Sequence, residues 1–322
     1  MAKAKIFVTR KIPNSGIKLL KQKGYQVKVS NVDRVLTKSE IKKGIKGADA
    51  ILCLLTDDID GDIMDAAGPK LKIIANYAVG YNNIDVAAAK KRKILVTNTP
   101  GVLTDTVAEF AFSLMLTISK RIVEADTFTR QKKYEDWAPM LFLGSDLKNK
   151  TLGIVGPGRI GSALAERAMR GLRMNIAYTA TKKNEQFAKK FKAKYFNLNN
   201  LLKKADVVSL HVPLLPSTKH LISTKQFKLM KNSAYLINTS RGPVINERAL
   251  VKALKNQEIR GAALDVFEFE PKLTAGLTNL RNVVITPHIA SATEETRSKM
   301  SEMAALNIIA VLSKKSPPNP VN

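Results

Sequence analysis

Arg241, Glu270 and His288 each follow a short apolar or β-branched run, at residues 234–240, 263–267 and 283–287. Runs of this kind read as strands, and in open α/β sheets ligands sit outside the carboxyl ends of the strands. The three types fit one reaction, the reduction of a 2-keto acid. That reaction needs a cation for the carboxylate and the carbonyl oxygen, and an acid that protonates the oxygen as hydride arrives. Arginine offers a planar fork to the carboxylate, each bond on the order of 1.5–3 kcal/mol. Histidine titrates near neutral pH, and a neighbouring glutamate orients the ring and favours its charged form. Taken singly, each has a plain structural explanation: a surface arginine, a capping glutamate, a packed histidine. His211 also ends a strand-like run and is a candidate for the cofactor side or for simple packing, whereas His220 belongs to a loop or a helix start. No Cys/His spacing suggests a metal site.

A second motif carries a different chemistry. Gly156-Pro157-Gly158-Arg159-Ile160-Gly161 lies between a strand-like run, residues 152–155, and a helical one, residues 160–170. In that context Gly156 permits a tight turn, Gly158 lets the backbone approach a pyrophosphate, and Gly161 lets the helix pack closely on the strand. The N–H groups of Arg159, Ile160 and Gly161 would then face the phosphates. An acid at the end of the next strand would select NAD, but Tyr178-Thr179-Ala180-Thr181-Lys182-Lys183 contains none. Ala180, Thr181 and Lys182 are therefore expected at the adenosine ribose, with Thr181, Lys182 and Lys183 available to a 2′-phosphate, so that NADP is preferred and NAD possible.

These residues must be held by a framework, and its pattern runs almost end to end. Residues 6–9, 26–30, 50–55, 71–76 and 94–97 read as strands separated by helical segments, which predicts a parallel sheet with crossover helices. Thr37-Lys38-Ser39-Glu40 is a capping box opening a helix over 37–46. One long helix without Gly or Pro is expected over 104–131, bridging two domains. A second strand series follows at 151–155, 175–178, 206–212, 234–238, 260–265 and 283–286. A last helix at 293–312 is expected to return to the first domain, and the proline-containing tail, 316–320, to be extended and frayed.

Composition excludes several classes. The 322 residues, 45% hydrophobic and 25% charged, suit two globular domains. Neither an export signal nor a bilayer-length apolar run is evident, and the single cysteine, Cys53, reads as core filler, so a cytoplasmic protein without a membrane partner is expected. The net charge of +26 raises the question of nucleic acid. Its lysines are spread along the chain, and the densest region, residues 182–204, lacks the aromatic interleaving of single-strand binders. A solvated basic face that steers anionic ligands is the expectation, not a nucleic-acid partner.

The sequence resembles the D-isomer-specific 2-hydroxyacid dehydrogenases over nearly its whole length, with glyoxylate and hydroxypyruvate reductases the most similar branch. The resemblance rests on Tyr77-Ala78-Val79-Gly80-Tyr81-Asn82-Asn83-Ile84-Asp85, Asn98-Thr99-Pro100-Gly101-Val102-Leu103-Thr104-Asp105 and the glycine turn. It continues through Asn238-Thr239-Ser240-Arg241-Gly242-Pro243, Leu264-Asp265-Val266-Phe267-Glu268-Phe269-Glu270-Pro271 and Thr286-Pro287-His288-Ile289-Ala290. It implies two doubly wound parallel-sheet domains, Rossmann- and flavodoxin-like. A cofactor domain (100–289) is inserted in a substrate domain (1–99 plus 290–322), with the active site between them and a homodimer formed through the cofactor domain.

The resemblance also implies roles. Arg241 orients substrate, His288 donates the proton, and Glu270, which directly precedes Pro271, assists the histidine in preference to Glu268. Ala78, Val79 and Gly80 hold the substrate carboxylate by their backbone. Thr239, Ser240 and Asp265 line the nicotinamide side, and Ala290 joins His211 in the cofactor set. Trp137 falls where some reductases reach across the dimer, with ordinary packing the alternative. Asn82 departs from the Asp of many relatives, and Thr181 from the Arg often found with NADP. Glu270 argues against formate dehydrogenases, and the lack of a C-terminal regulatory domain against the longer phosphoglycerate dehydrogenases. D-lactate, 2-ketogluconate and 3-phosphoglycerate enzymes remain alternatives, as does a dinucleotide-sensing corepressor.

Overall fold

The computed structural model describes residues 3–322. The chain forms two compact units, one of residues up to 103 with 291–322, the other of residues 104–290 inserted into it. This division runs four residues later than 99/100 and one later than 289/290. The stretch through Leu103 stays with the first unit, and the second begins where the helix Thr104–Ser119 begins.

The first unit is built on five strands, β1 (Lys5–Val8), β2 (Gln26–Val29), β3 (Ala50–Cys53), β4 (Ile73–Asn76) and β5 (Leu95–Thr97). They are all parallel in the order β2-β1-β3-β4-β5. β3 and β4 are buried along their whole length, as expected of strands covered on both faces, and this explains their unbroken apolar runs. Phe7, Ile51, Cys53, Ile74 and Val96 face a cluster that includes Ile41, Ile45 and Ile63 from the helices Lys38–Ile45 and Gly61–Ala67. The capping box is present, the Glu40 carboxylate accepting from Thr37 N–H at 2.8 Å.

The second unit carries seven parallel strands: β6 (Thr151–Val155), β7 (Asn175–Thr179), β8 (Lys194–Tyr195), β9 (Val207–Leu210), β10 (Tyr235–Asn238), β11 (Gly261–Leu264) and β12 (Val283–Ile285). Their order, β12-β11-β10-β9-β6-β7-β8, reverses between β6 and β9, and that reversal opens a crevice at the carboxyl ends of those two strands. The period of two is visible in the core. Leu236 and Leu264 enter one cluster, whereas Ile237 and Ala263 enter the other, with Ala111, Leu114 and Met115 of the helix Thr104–Ser119. β8, with only two residues, gives no periodic signal in the sequence.

Two expectations are corrected. The long helix over 104–131 breaks into Thr104–Ser119 and Ile122–Arg130, with Arg121 left-handed at φ 57° between them. No Gly or Pro announces this break. Ser145 N–H takes the Ser119 carbonyl at 2.8 Å, and Arg121 bonds Glu124 at 2.5 Å while its guanidinium lies 5.0 Å from the Phe142 ring centroid. These contacts, one between distant backbone groups and two through the Arg121 side chain, together stabilise a turn. The tail is not frayed. Val321 N–H donates to Val96 at 2.8 Å, and the Asn322 side chain brackets the same strand through Val96 N–H and the Ile94 carbonyl. The tail thus occupies the otherwise open edge of β5.

The last helix, Glu294–Leu312, packs on the helix Asn14–Gln22 and on β4, within the first unit. Gly16 makes this crossing possible, because a Cβ there would lie 2.1 Å from the Ser301 carbonyl oxygen. Its N–H instead meets Ser301 Oγ at 3.1 Å, and Ser301 Oγ donates to the Pro13 carbonyl at 2.7 Å. No helix among the described residues is long and apolar enough to cross a membrane. Gly16→Ala is expected to force the two helices apart and to destabilise the protein by about 1–3 kcal/mol, the range for overpacking. Urea unfolding should show a lower midpoint, and an unchanged midpoint would mean the crossing tolerates the methyl group.

Candidate active site

The glycine turn lies where the strand order reverses. Gly156 follows β6 with φ 94°, in the region open to glycine, and a Cβ there would come within 2.8 Å of the His211 carbonyl oxygen. Gly161 would bring one within 2.6 Å of the Gly156 oxygen, so it serves close helix-to-strand packing. Gly158 differs, since a Cβ there meets nothing within 4 Å. The space over Gly158 faces the start of the helix Arg159–Leu172, whose first N–H groups, on Arg159, Ile160 and Gly161, have no acceptors within the helix. A phosphate placed there would gain about 0.3–1 kcal/mol from the helix dipole, besides its hydrogen bonds. His211, from the end of β9, packs against this turn and bonds Ser209 Oγ through Nε2 at 2.9 Å. Loss of solvation pulls its pKa down to about 4, so the ring is neutral in neutral solution.

Thr181 and Lys182 are exposed, Ala180 is half-buried, and Lys183 is drawn aside over the Tyr195 ring, 5.7 Å from its centroid. At the end of β10, the buried Thr239 hydroxyl has no hydrogen-bond partner, which fits a polar group of a bound dinucleotide. Ser240 is otherwise engaged, its hydroxyl and N–H both donating to Asn238 Oδ1, at 2.8 and 3.0 Å.

Arg241, Glu270 and His288 come together within the second unit. His288 Nδ1 lies 3.0 Å from Glu270 Oε2, and Glu270 Oε1 accepts the Phe267 N–H at 2.8 Å. Against an ionised Glu270, Nδ1 carries the proton and Nε2 occupies the far edge of the ring. Burial raises the Glu270 pKa, but the His288 bond, the Phe267 N–H and the Arg241 charge outweigh it, leaving a net lowering. The half-buried Arg241 donates from Nη1 to the Ser240 carbonyl at 2.7 Å, and burial lowers its pKa against the opposing pull of Glu270. A glutamate charged in neutral solution thus stands between a cation and an imidazole.

Asp265 has a structural task that its position in the sequence does not reveal. Its fully buried carboxylate accepts the Thr286 hydroxyl at 2.6 Å, the Ile289 N–H at 2.9 Å and the Ala290 N–H at 2.7 Å. These three donors flank His288, whose own φ is 56°. The Ala290 N–H is therefore turned to Asp265.

In the first unit, the loop after β4 is held by its carbonyls. Ala78 accepts from Thr99 N–H at 2.9 Å, Val79 from Asn98 Nδ2 at 2.7 Å, and Gly80 from Asn76 Nδ2 at 2.8 Å. Asn83 braces the loop further, donating to the Leu54 and Asp57 carbonyls at 3.0 and 3.1 Å. With three successive carbonyls anchored, the N–H groups of Val79 and Gly80 have no hydrogen bond to a described residue, an arrangement suited to an anion. Asn76, Asn83 and Asn98 were missed as contributors in the sequence. Asn83 and Asn98 lie within the two motifs around this loop and Asn76 directly precedes the first, but which carbonyls they anchor depends on the fold.

Both the sequence and the fold are similar to those of known proteins. A family model described as the D-isomer specific 2-hydroxyacid dehydrogenase NAD binding domain matches residues 112–290. The glyoxylate reductases of Thermococcus litoralis and Korarchaeum cryptofilum are each 48% identical over 99% of this chain, covering 97% and 96% of their own lengths. Among solved structures, an NADPH-dependent glyoxylate/hydroxypyruvate reductase from Sinorhizobium meliloti, in complex with NADP and malonate, superposes with a TM-score of 0.89. It is 32% identical, with 99% of this chain and 97% of that chain covered. Identity at this level along the full length, joined to a strand order and a glycine turn made for a dinucleotide, leaves one conclusion: the chain belongs to the D-isomer-specific 2-hydroxyacid dehydrogenase family, oxidoreductases that reduce 2-keto acids with a nicotinamide dinucleotide.

Proposed function

We propose that the protein reduces glyoxylate or hydroxypyruvate to the corresponding D-2-hydroxy acid (glycolate itself being achiral), with Arg241, Glu270 and His288 as the catalytic set. The observation that carries this reading is the 3.0 Å contact between His288 Nδ1 and Glu270 Oε2 beside the Arg241 charge. Bound along the glycine turn, the dinucleotide supplies the hydride. Arg241 orients the keto acid and stabilises the negative charge that develops on its carbonyl oxygen. His288, held by Glu270, donates its Nε2 proton to that oxygen. The free N–H groups of Val79 and Gly80, together with Ala78, are assigned to the substrate carboxylate. Asp265, by fixing the residues on either side of His288, limits where the imidazole can lie.

For the cofactor, NADPH is the proposed preference, with NADH accepted. Support comes from the lack of any carboxylate in residues 178–183, where one would repel a 2′-phosphate, and from the exposed Thr181 and Lys182. A homodimer is also proposed. Tyr134, Trp137, Met140 and Leu143 are exposed on one segment of the second unit, Trp137 at 77% and Met140 at 74%. Such a cluster is characteristic of a surface covered by a partner, and ordinary packing within the chain does not account for Trp137. Sedimentation velocity should give twice the chain mass, and Met140→Asp should shift the protein toward the monomer; a monomeric wild type would exclude this.

His288→Ala should lower kcat roughly 10²–10⁴-fold, as loss of a general acid does, in steady-state assays with glyoxylate, hydroxypyruvate, pyruvate, 2-ketogluconate and 3-phosphohydroxypyruvate. Undiminished turnover would remove His288 from its role, and a clear preference for another acid would reassign the substrate. Glu270→Gln deletes the negative charge that favours the imidazolium, so the alkaline limb of the rate profile should move to lower pH. An unmoved limb would argue against the pairing. Wild-type kcat/KM should be higher with NADPH than with NADH. Thr181→Asp should reduce the NADPH value about tenfold or more by placing a carboxylate near the 2′-phosphate, and a wild-type preference for NADH would refute the assignment.

A further inference from the structure

His220, Glu247 and Glu268 form a second ionisable cluster in the unit that carries Arg241, Glu270 and His288. His220 Nε2 lies 2.6 Å from Glu268 Oε1. Glu268 Oε2 accepts the Glu247 N–H at 3.0 Å, at the start of the helix Glu247–Lys255, and the Glu268 N–H donates to Glu247 Oε1 at 2.6 Å. Glu247 Oε2 accepts the Thr274 hydroxyl at 2.6 Å. All four carboxylate oxygens thus have partners, as burial demands. Glu247 is 1% exposed and the Glu268 side chain 10%. Burial, reinforced by the charge of Glu268, raises the pKa of Glu247.

The connections of this cluster lead to the catalytic residues. Glu268 and Thr274 flank Glu270 along the chain, so Glu247 grips the loop on both sides of it. His220 N–H donates to the Pro243 carbonyl at 2.8 Å, inside the tight turn Gly242–Val244 that follows Arg241. Ile222 N–H and the Ile222 carbonyl continue the pairing, to Val244 and Asn246 at 3.1 and 2.9 Å. His220 has φ 52°, a left-handed conformation that a non-glycine residue keeps where its surroundings fix it. One residue therefore bonds the Arg241 turn by its backbone and the Glu270 loop by its side chain. The two segments also touch directly, for a Cβ on Gly242 would lie 1.8 Å from the Phe267 carbonyl oxygen.

We propose that His220 is a positioning residue, which through Glu268 couples the Arg241 turn to the Glu270 loop and so sets the guanidinium against the Glu270–His288 pair. The role rests on the catalytic assignment made under Proposed function. The tie acts on two groups with different tasks, so its loss should be felt both in substrate affinity, through Arg241, and in the protonation of the acid, through Glu270.

The test compares His220→Leu, which removes the bond, with His220→Gln, whose side-chain amide can still donate to Glu268. Rates are measured with the full-length enzyme and glyoxylate, normalised to folded protein. His220→Leu should raise KM, lower kcat roughly ten- to hundredfold as a displaced catalytic geometry does, and shift the alkaline limb in the direction of Glu270→Gln. Dinucleotide affinity, followed by cofactor fluorescence, should stay at the wild-type value, and His220→Gln should restore the kinetic properties. If His220→Leu does not fold, His220→Asn, polar but too short to reach Glu268, replaces it. Unchanged kcat, KM and pH profile would overturn the proposal, as would a loss of activity with an unmoved profile and no rescue by Gln. With His288→Ala measured in parallel, a crippled His288→Ala beside a normal His220→Leu would end the positioning role alone. Normal turnover in His288→Ala would instead bring down the catalytic assignment on which it rests.

Discussion

The carboxylate of Asp265 is the point on which the candidate site in the second unit depends. It sits at the end of β11 with no exposed surface, and it gathers three donors from the segment that carries His288. A buried carboxylate without donors would cost several kcal/mol; with three it becomes a fixed anchor. Because the acceptor directly follows a buried strand paired on both sides and the donors lie on both sides of His288, the imidazole is confined without any bond from Asp265 to the ring. The ring's own partner, Glu270, comes from the loop that follows Asp265, so the segment after β11 supplies both the anchor and the orienting group.

Parallel pairing extends this arrangement. All seven strands of the second unit run in one direction, so the residues following each of them emerge at one edge. Gly156 after β6, His211 after β9, Arg241 after β10, Asp265 and Glu270 after β11 and His288 after β12 share that edge for this reason alone. Each unit also has a place where backbone N–H groups are left without acceptors among the described residues. At the glycine turn a helix start presents N–H groups. At residues 78–80 the same result is reached without a helix, by anchoring three successive carbonyls with Asn76, Asn98 and the Thr99 N–H.

The strands and most helices were legible because buried parallel strands must be apolar throughout, and because Thr37 and Glu40 satisfy each other in a capping box. Legibility ended where distant chain decided the local form. Nothing at Arg121 marks a helix break, since it is the N–H of Ser145 and the ring of Phe142 that stabilise it. Nothing in residues 316–322 marks an edge pairing, since the proline content is compatible with either a loose or a docked tail.

The sequence by itself determined the two parallel sheets, the glycine turn of dinucleotide type and the placement of Arg241, Glu270 and His288 after successive strands, because each of these follows from residue type at short spacing. Only the tertiary structure decided how those side chains are held. That Asp265 anchors the His288 segment, that three asparagines fix the loop at 78–80, and that His220 joins the Arg241 turn to Glu268 are contacts between segments brought together by strand order. A carboxylate in a sequence carries no mark of which donors will surround it, and burial decides that only once the chain has folded.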